Sequence, residues 1–294
     1  MTANTPLLEA RGARIDVSGI PAIDGLTLKT TGERVLVLGA AVALFEAACG
    51  MRPVGKGELL VHGTNAALAL RAGQVAGAVL DPPLPPTWSV LAYAEWSARL
   101  CGHGRKASRA LATDAIERMR MEKIAKDPLG KIAPHGRRAA VIAGAIATGA
   151  RTLILCDPLA ALPDEAARNL GGILVQALAD RTWAVFAARV PVLSPLAAAA
   201  DDALVVVGSE IAAQGAPAEV AARARSYAVR VHGPVSELAR IAEARGAKVT
   251  LGGEQEHRLT IDLGEGLSTR DLLTMANDAQ AVIVELTPVA RAFA

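Results

Sequence analysis

Short apolar stretches separated by turn residues occupy the first sixty positions of the chain and predict strands. Those strands are expected at residues 13–17, 26–30, 34–38 and 58–62. Between the third and the fourth, residues 43–49 are good helix formers, and Gly50 follows them as a helix stop. The chain is therefore predicted to open as a β-rich unit that contains one strand, loop and helix in succession.

Farther along the chain, apolar runs alternate with helical patterns. The runs lie at residues 75–80, 152–156, 182–187 and 203–207, and helices are predicted at 89–100, 108–121, 137–147 and 164–178. The last three runs are typical of strands buried on both faces. The proline-dense segment at 81–88 excludes regular structure until residue 90. Buried strands that alternate with helices indicate a parallel sheet with crossover connections.

The last seventy residues follow a different pattern, in which strands and helices come in the order βαββαβ. Strands are predicted at 227–231, 248–251, 258–263 and 281–286, and helices at 235–245 and from Ser268 onward. This order is that of a ferredoxin-like α+β unit. We expect its junction with the preceding domain at residues 221–226.

Composition limits the classes of protein to be considered. The chain has 294 residues, 52% of them hydrophobic and 20% charged, with a net charge of +2, so we expect about two globular domains and no nucleic-acid partner. The uncharged apolar runs at 35–45 and 139–150 have 11 and 12 residues, too few to span a membrane, and Glu9 and Arg11 exclude a secretory signal. The three cysteines lie far apart, so we interpret them as reduced, mostly buried, and cytoplasmic.

Five strings occur in the order found in one protein family: PAIDGLTLKTTGERVLVLG, CGMRPVGKGELLVHG, AGAVLDPPLPPTWSVLAYAEWSARLCG, TLILCDPLAALPDE and VVVGSEIAAQGAPAEV. Together they resemble the nucleotide-binding subunit of an ATP-binding-cassette (ABC) transporter of the type-2 exporter group. The resemblance implies a P-loop NTPase-like ABC ATPase fold over residues 1–222, with a parallel sheet core, an antiparallel β subdomain and a helical subdomain at about 85–135. It also implies that residues 226–294 form the small accessory domain of such subunits.

The phosphate loop that the family requires is missing. Such a loop reads G-x-x-x-x-G-K-[ST], so that backbone N–H groups and a lysine hold the phosphates and a hydroxyl holds magnesium. Here the predicted strand continues into Gly39, Ala40 and Ala41, a connection four residues shorter than the family's and without lysine, serine or threonine. The later string GMRPVGKG matches part of the motif, but a predicted helix precedes it and a strand follows, so we interpret it as a surface turn with a solvated Lys56.

At the family's other nucleotide-site positions, this chain also lacks the residues that the family uses to bind and hydrolyse ATP. Val17 replaces the aromatic ring that stacks on adenine, Asp81 replaces the glutamine of the Q-loop, and the signature segment is reduced to residues 132–136, with Ala133 and His135 in place of its serine and a glycine. Cys156 and Asp157 stand at the Walker B carboxylates, and either alignment of Asp157 loses one of the two. We therefore expect no cofactor and no metal.

Two surface features remain as candidates for function. Trp88, Tyr93 and Trp96, together with Asp81, fall where the family's groove receives a helix of the membrane subunit, although the same aromatic rings would also suit the core of a small helical lobe. Arg137 and Arg138 begin a predicted helix beside His135, and we interpret them as a solvated helix end.

The sequence leads to one main hypothesis and two alternatives. The main hypothesis is a degenerate ABC ATPase-like subunit, cytoplasmic and peripheral at the inner membrane, that associates with a membrane permease subunit and forms a homodimer or a heterodimer with a sister ABC ATPase. One alternative is a subunit that retains weak ATP binding in a composite site with an active sister. The other is a soluble sensor whose terminal unit binds a metabolite or a protein.

Overall fold

The computed structural model describes residues 5–39, 42–191, 193–207, 209–223, 226–251, 258–264 and 266–288. It divides into two compact units, Met1–Pro217 and Ala218–Ala294. In chain order the first contains β1 (Leu8–Val17), β2 (Ile20–Lys29), β3 (Arg34–Leu38), α1 (Val42–Ala48), β4 (Lys56–Val61), β5 (Thr64–Asn65), α2 (Ala66–Arg71), β6 (Val75–Ala78), α3 (Val90–Leu100), α4 (Arg105–Arg118), α5 (Pro134–Ala147), β7 (Thr152–Cys156), α6 (Asp164–Ala177), β8 (Thr182–Ala187), α7 (Pro195–Ala199), β9 (Asp202–Val207) and β10 (Glu210–Gly215). The helix α8 (Pro217–Arg223) then leads into β11 (Ser226–His232), α9 (Val235–Ala244), β12 (Lys248–Leu251), β13 (Arg258–Asp262), α10 (Thr269–Asp278) and β14 (Val282–Pro288).

Two sheets form the centre of the first unit. The antiparallel sheet has the order β2-β1-β4-β5, and the six-stranded sheet has the order β10-β9-β3-β8-β7-β6. Five neighbouring strands of the second sheet are parallel, and β10 pairs antiparallel with β9 at its edge. The predicted parallel sheet is therefore confirmed, and β3, β7 and β8 coincide with the predicted strands at 34–38, 152–156 and 182–187.

The short helix α1 lies in the apolar core between these two sheets. Its buried residues Ala43, Leu44 and Phe45 share one core cluster with side chains of β1, β3, β4 and β8. The Phe45 ring meets Phe186 of β8 edge to face, with 6.0 Å between the ring centroids. Because α1 is apolar on the faces that meet both sheets, burial holds it in place at the end of β3.

A helical lobe is inserted between β6 and β7. It consists of α3, α4 and the first part of α5, and α3 packs so closely on α5 that a Cβ on Gly144 would lie 2.7 Å from Tyr93 Cε1. Segments 86–91 and 125–130 are joined by hydrogen bonds, among them Leu129 N–H to Trp88 O at 2.8 Å. The proline-dense segment has no helix or strand, as predicted, but α4 begins three residues before the predicted helix and α5 likewise.

The second unit has the predicted βαββαβ order. Its sheet has the strand order β12-β13-β11-β14, and every neighbouring pair is antiparallel. Leu238 of α9 and Leu272 of α10 are buried against the sheet in a core of their own. A capping box starts α10, because Ser268 accepts from Asp271 N–H while the Asp271 carboxylate accepts from Ser268 N–H. The ferredoxin-like arrangement is confirmed.

Among the described residues, no helix combines the length and the apolar character that crossing a bilayer requires.

Candidate functional site

The candidate site lies at the carboxyl ends of the parallel strands. In open α/β sheets this edge is where ligands bind, because loops and helix termini converge there. Gly39 follows β3, Asp157 follows β7, Ala188 follows β8, and Asp81 lies three residues after β6. The structure therefore brings Gly39, Asp81 and Asp157, which the sequence singled out, to one edge of the sheet, together with Ala188.

The connection between β3 and α1 is short and is held to neighbouring strands at its start. It spans only residues 39–41, of which Ala40 and Ala41 lie outside the described residues. Gly39 has a φ of +70° and donates its N–H to Ala187 O of β8 at 3.0 Å. A Cβ at this position would lie 2.7 Å from Val206 O of β9. Only glycine fits there, since it accepts the left-handed conformation and leaves room for the adjacent carbonyl.

The first turn of α1 offers no polar side chain to a ligand. It carries Val42, Ala43, Leu44 and Phe45, and the last two are each 1% exposed in the core. The sequence left it open whether Leu44 and Phe45 occupy a nucleotide pocket, and the structure places both in the core beneath the edge. The first charged residue of the helix is Glu46, which accepts from Arg52 Nε at 2.6 Å.

The string GMRPVGKG closes α1 and does not form a phosphate cradle. Gly50, with a φ of +68°, ends the helix, and the N–H groups of Met51 and Arg52 donate to Glu46 O. Gly55 N–H donates to Arg14 O at 2.8 Å, and the exposed Lys56 begins β4. Because these amides bond to carbonyls of the chain itself, the interpretation of this string as a surface turn is confirmed.

Asp157 is bonded into the edge of the sheet. It adopts a φ of +43°, donates its N–H to Phe186 O at 2.6 Å, and accepts Ala188 N–H on Oδ2 at 3.3 Å. Burial raises the pKa of the carboxyl group, and this outweighs the opposing effects of the Ala188 N–H, Arg138 and Arg189. Burial therefore disfavours the charged carboxylate of Asp157 relative to that of a solvent-exposed aspartate.

Cys156 is half-buried beside Asp157. Burial raises the pKa of its thiol, although a hydrogen bond from the backbone of Leu80 acts in the opposite direction. A thiol with a raised pKa is both a weak nucleophile and a poor metal ligand. Among the described residues, no group of three or more histidine, cysteine, aspartate or glutamate side chains is arranged to hold a metal ion.

Arg138 corrects the interpretation of residues 137 and 138 as a solvated helix end. The Arg138 side chain is 6% exposed, and its Nη1 donates to Ala160 O at 2.6 Å and to Pro158 O at 3.4 Å. Its Nη2 donates to Asp81 Oδ2 at 3.3 Å, while Nε has no hydrogen-bond partner among the described residues. The interpretation was wrong because α5 begins at Pro134, one turn earlier than predicted, and this places Arg138 in the second turn, facing inward.

The predicted signature segment is the amino end of α5. Ala133 is the N-cap and makes no side-chain capping bond, and Pro134 occupies the first turn. His135 is exposed, whereas Gly136 is buried so tightly that a Cβ would lie 2.4 Å from Ile132 Cγ2. Val17, at the adenine position, ends β1 in a hairpin with Ile20. Ala133 and His135 therefore present no hydroxyl group, and Val17 presents no ring.

The aromatic residues of the lobe divide into buried and exposed members. Tyr93 packs on α5 at Gly144, and burial raises the pKa of its hydroxyl group. Trp96 is 43% exposed and meets Trp88 edge to face, with 5.6 Å between the ring centroids. The two tryptophans line a groove of about 430 Å³ that also includes Thr87, Ser89, Ala92, Glu95 and Arg99.

Cys101 and His103 follow the carboxyl end of α3, and His103 makes a contact that joins two helices. His103 Nε2 lies 2.8 Å from Thr148 O, so the ring joins the end of α3 to the end of α5. Cys101 is exposed at the carboxyl end of α3, and the expectation of mostly buried cysteines therefore fails at this position.

Comparison with known proteins identifies the fold. No family model matches the chain. It is 29% identical over 167 residues to the ribose import ATP-binding protein RbsA 1 of Burkholderia thailandensis; the match covers 52% of this chain, which spans about a third (33%) of that relative's length. Among solved structures, cbiO1 of Clostridium perfringens, part of the ABC transporter complex cbiONQ, has a TM-score of 0.64 at 20% identity, covering 74% of this chain and 92% of its own. The ADP conformation of MJ1267, an ATP-binding cassette of an ABC transporter, has a TM-score of 0.61 at 15% identity over 74% and 95%.

The close approach of Gly39 to β9 can be tested by measuring the stability of two glycine-to-alanine variants. Gly39→Ala and Gly73→Ala introduce the same methyl group at nearly the same φ, +70° and +68°, but only Gly39 has a carbonyl in the way, and nothing lies within 4 Å at Gly73. We expect each substitution to lower the free energy of unfolding by about 1–2 kcal/mol, because alanine disfavours the left-handed conformation. Gly39→Ala should lower it by at least about 1 kcal/mol more. Urea unfolding measures both, and equal losses would show that β9 does not restrain this connection.

The raised pKa of Asp157 predicts how the stability of the protein depends on pH. Because the folded state holds this proton more tightly than the unfolded chain, the stability that depends on Asp157 is greatest below the usual aspartate value of 3.8 and falls as the pH rises through the folded pKa. We expect Asp157→Asn, which still accepts from Ala188 N–H, to raise the Tm at pH 7 and to lose this advantage in acid.

A second aspartate serves as the control of opposite sign. The pKa of Asp180 is lowered, chiefly by its hydrogen bonds from Arg118, so its contribution is present at neutral pH and is lost as the pH falls through the folded pKa. Asp180→Asn is expected to lower the Tm at pH 7 and to match the unchanged protein in acid. If Asp157→Asn lowers the Tm at pH 7, as Asp180→Asn is expected to do, the assignment for Asp157 is refuted.

Proposed function

We propose that this chain, whose first unit has the ABC ATPase fold, is a catalytically degenerate subunit of an ABC-type membrane complex. It acts as a structural or regulatory partner and neither binds nor hydrolyses ATP productively. The observation that carries the proposal is the β3–α1 connection, in which three residues without an ammonium or hydroxyl group replace a phosphate loop.

Electrostatics support the absence of productive ATP binding. A bound triphosphate needs several fixed donors and a cation close to the β- and γ-phosphates. The guanidinium groups of Arg138 and Arg189 act on Asp157, and Arg138 also donates to the Asp81 carboxylate. Arg138 already donates to Asp81 and to two carbonyl oxygens, so it is not free to bind a phosphate.

The residues around β7 also support the absence of hydrolysis. Hydrolysis needs one carboxylate for magnesium and a second group that orients the attacking water. The strand ends at Cys156 and is followed by Asp157 and Pro158, so one of these three residues is a carboxylic acid, and burial raises its pKa. The chain therefore lacks at least one of the two groups in either alignment.

The Trp88–Trp96 groove is the proposed docking surface for a membrane permease subunit. Partly exposed tryptophan rings at a concave site are typical anchors of interfaces. A type-2 exporter complex at the inner membrane, with a second copy of this chain or a sister ABC ATPase, is the assembly that we propose. The relative named for ribose import is 29% identical to 52% of this chain, so its substrate is not carried over.

One observation favours a second candidate function. Asp157 lies at the edge of the sheet where α/β folds bind ligands, so the chain would supply weak nucleotide affinity to a composite site with an active sister ATPase. Stimulation of the sister's turnover that is lost in Asp157→Ala would support this alternative, and equal stimulation by both proteins would exclude it.

The main proposal predicts the outcome of a titration with Mg·ATP. Calorimetry of the isolated chain should show no saturable binding up to millimolar nucleotide, and phosphate release should stay at the rate of the buffer. A dissociation constant in the micromolar range, or turnover that is abolished in Asp157→Ala, would refute the proposal.

The docking surface predicts the effect of losing one ring. Trp96→Ser should lower the amount of permease recovered with the tagged chain from solubilised membranes by about tenfold or more, because buried tryptophans are frequent hot spots. Leu68→Ser is the matched control, since Leu68 on α2 is also exposed, at 56%. Equal recovery with both variants would place the docking surface elsewhere.

A further inference from the structure

One buried guanidinium group joins three chain segments that meet at the base of the helical lobe. Arg138 of α5 bonds to Asp81, which lies just after β6, and to Pro158 and Ala160, in the loop after β7. The lobe begins after β6 and returns to the sheet through α5. Arg138 therefore links the start of the lobe, its end, and the strand that follows it.

The chemistry of this link indicates positioning and not a gain in stability. Moving a cation out of water is costly, and the Arg138 side chain is 6% exposed while Asp81, the carboxylate bonded to it in the described part of the chain, is 62% exposed. Two of its acceptors are neutral carbonyl oxygens, and Nε has no partner among the described residues. An apolar side chain of similar volume would avoid this cost. We therefore attribute the guanidinium group to its planar set of donors, which fixes the relative positions of its acceptors.

The lobe is attached to the sheet region at a second point, which differs in exposure. Arg118 of α4 donates to both carboxylate oxygens of Asp180, at 2.8 and 3.1 Å, and to Ala177 O. This pair is accessible to solvent and is weakened by salt. The Arg138 side chain is more deeply buried, and its bonds to Ala160 O and Pro158 O go to neutral acceptors, so these bonds keep their strength when salt screens the outer pair.

We propose that Arg138 is a positioning residue that clamps the helical lobe to the end of β7. It thereby holds the Trp88–Trp96 groove at a fixed place relative to the sheet without a bound nucleotide. The clamp itself stands on the contacts of Arg138, and only its value for docking rests on the proposed function. Trp88 lies seven residues after Asp81, so the start of the groove is directly tied to the clamped segment.

The test measures the position of the lobe by pulsed electron spin resonance on the full chain. One spin label is attached to Cys101, which is exposed on the lobe, and the other to a cysteine at Arg71→Cys on α2, in a background of Cys156→Ser with Cys49 buried. Arg138→Met should at least double the width of the distance distribution. Arg138→Lys, which keeps the charge but cannot reach all three acceptors, should give an intermediate width.

Arg137→Met is the matched control. Arg137 is the preceding residue, and its hydrogen bond goes to Ile132 O within the lobe, so the distribution should keep its width. If Arg138→Met does not fold, Arg138→Lys decides: an unchanged width overturns the clamp and a broader one supports it. High salt should leave the distribution of the Arg138 protein unchanged and should broaden that of Arg138→Lys.

A separate addition distinguishes failure of the clamp from failure of the proposed function. Mg·ATP should not change the distance distribution of the protein with Arg138 in place. A shift on addition of Mg·ATP would overturn the proposed absence of productive binding, whereas the widths of the Arg138 variants without nucleotide still decide the clamp.

Discussion

Burial of α1 between the two sheets of the first unit is the interaction on which the candidate site depends. The helix begins four residues after β3 ends, so the core that encloses it also fixes the path of the backbone at the edge. Leu44 and Phe45, the residues that anchor it, are apolar and point away from solvent. The same packing that makes this part of the fold stable therefore leaves its ligand-binding edge without polar side chains from α1.

Charge at this edge is used within the protein. Arg52 is bonded to Glu46, Arg138 to Asp81 and two carbonyl oxygens, and Asp157 to the N–H of Ala188. Each of these charged groups has a partner in the chain, although Nε of Arg138 is left without one among the described residues. At this edge Arg138 joins the sheet to the helical lobe.

Much of the fold follows from local sequence. The strands β7 and β8 coincide with apolar runs because both faces of a central parallel strand are covered, and such runs need no tertiary information to be recognised. The capping box at Ser268 and Asp271 predicted the start of α10 for a similar reason. Two side chains three residues apart in the sequence supply the hydrogen bonds that the backbone N–H groups of the first turn need. Short strands such as β5 and short helices such as α2 depend on their neighbours, and the sequence did not predict them.

The candidate site was harder to predict than the fold. The left-handed conformations of Asp81 and Asp157, with φ of +47° and +43°, arise from the loops around them, although aspartate tolerates them better than most residues. Arg138 was assigned to solvent because arginine is usually exposed. Its spacing of four residues from the buried Ile142 was a signal that it faces inward, and Pro134 was a signal that the helix starts earlier.

The proline-dense bend of the lobe has a thermodynamic consequence for any partner. Pro82, Pro83, Pro85 and Pro86 restrict φ, and the bonds from Leu129 N–H to Trp88 O and from Gly130 N–H to Pro86 O fasten this bend to the far side of the lobe. Little conformational entropy is left to lose there when a partner binds. Association should therefore resemble the meeting of two rigid surfaces, with a rate set by diffusion and orientation rather than by folding of a loop.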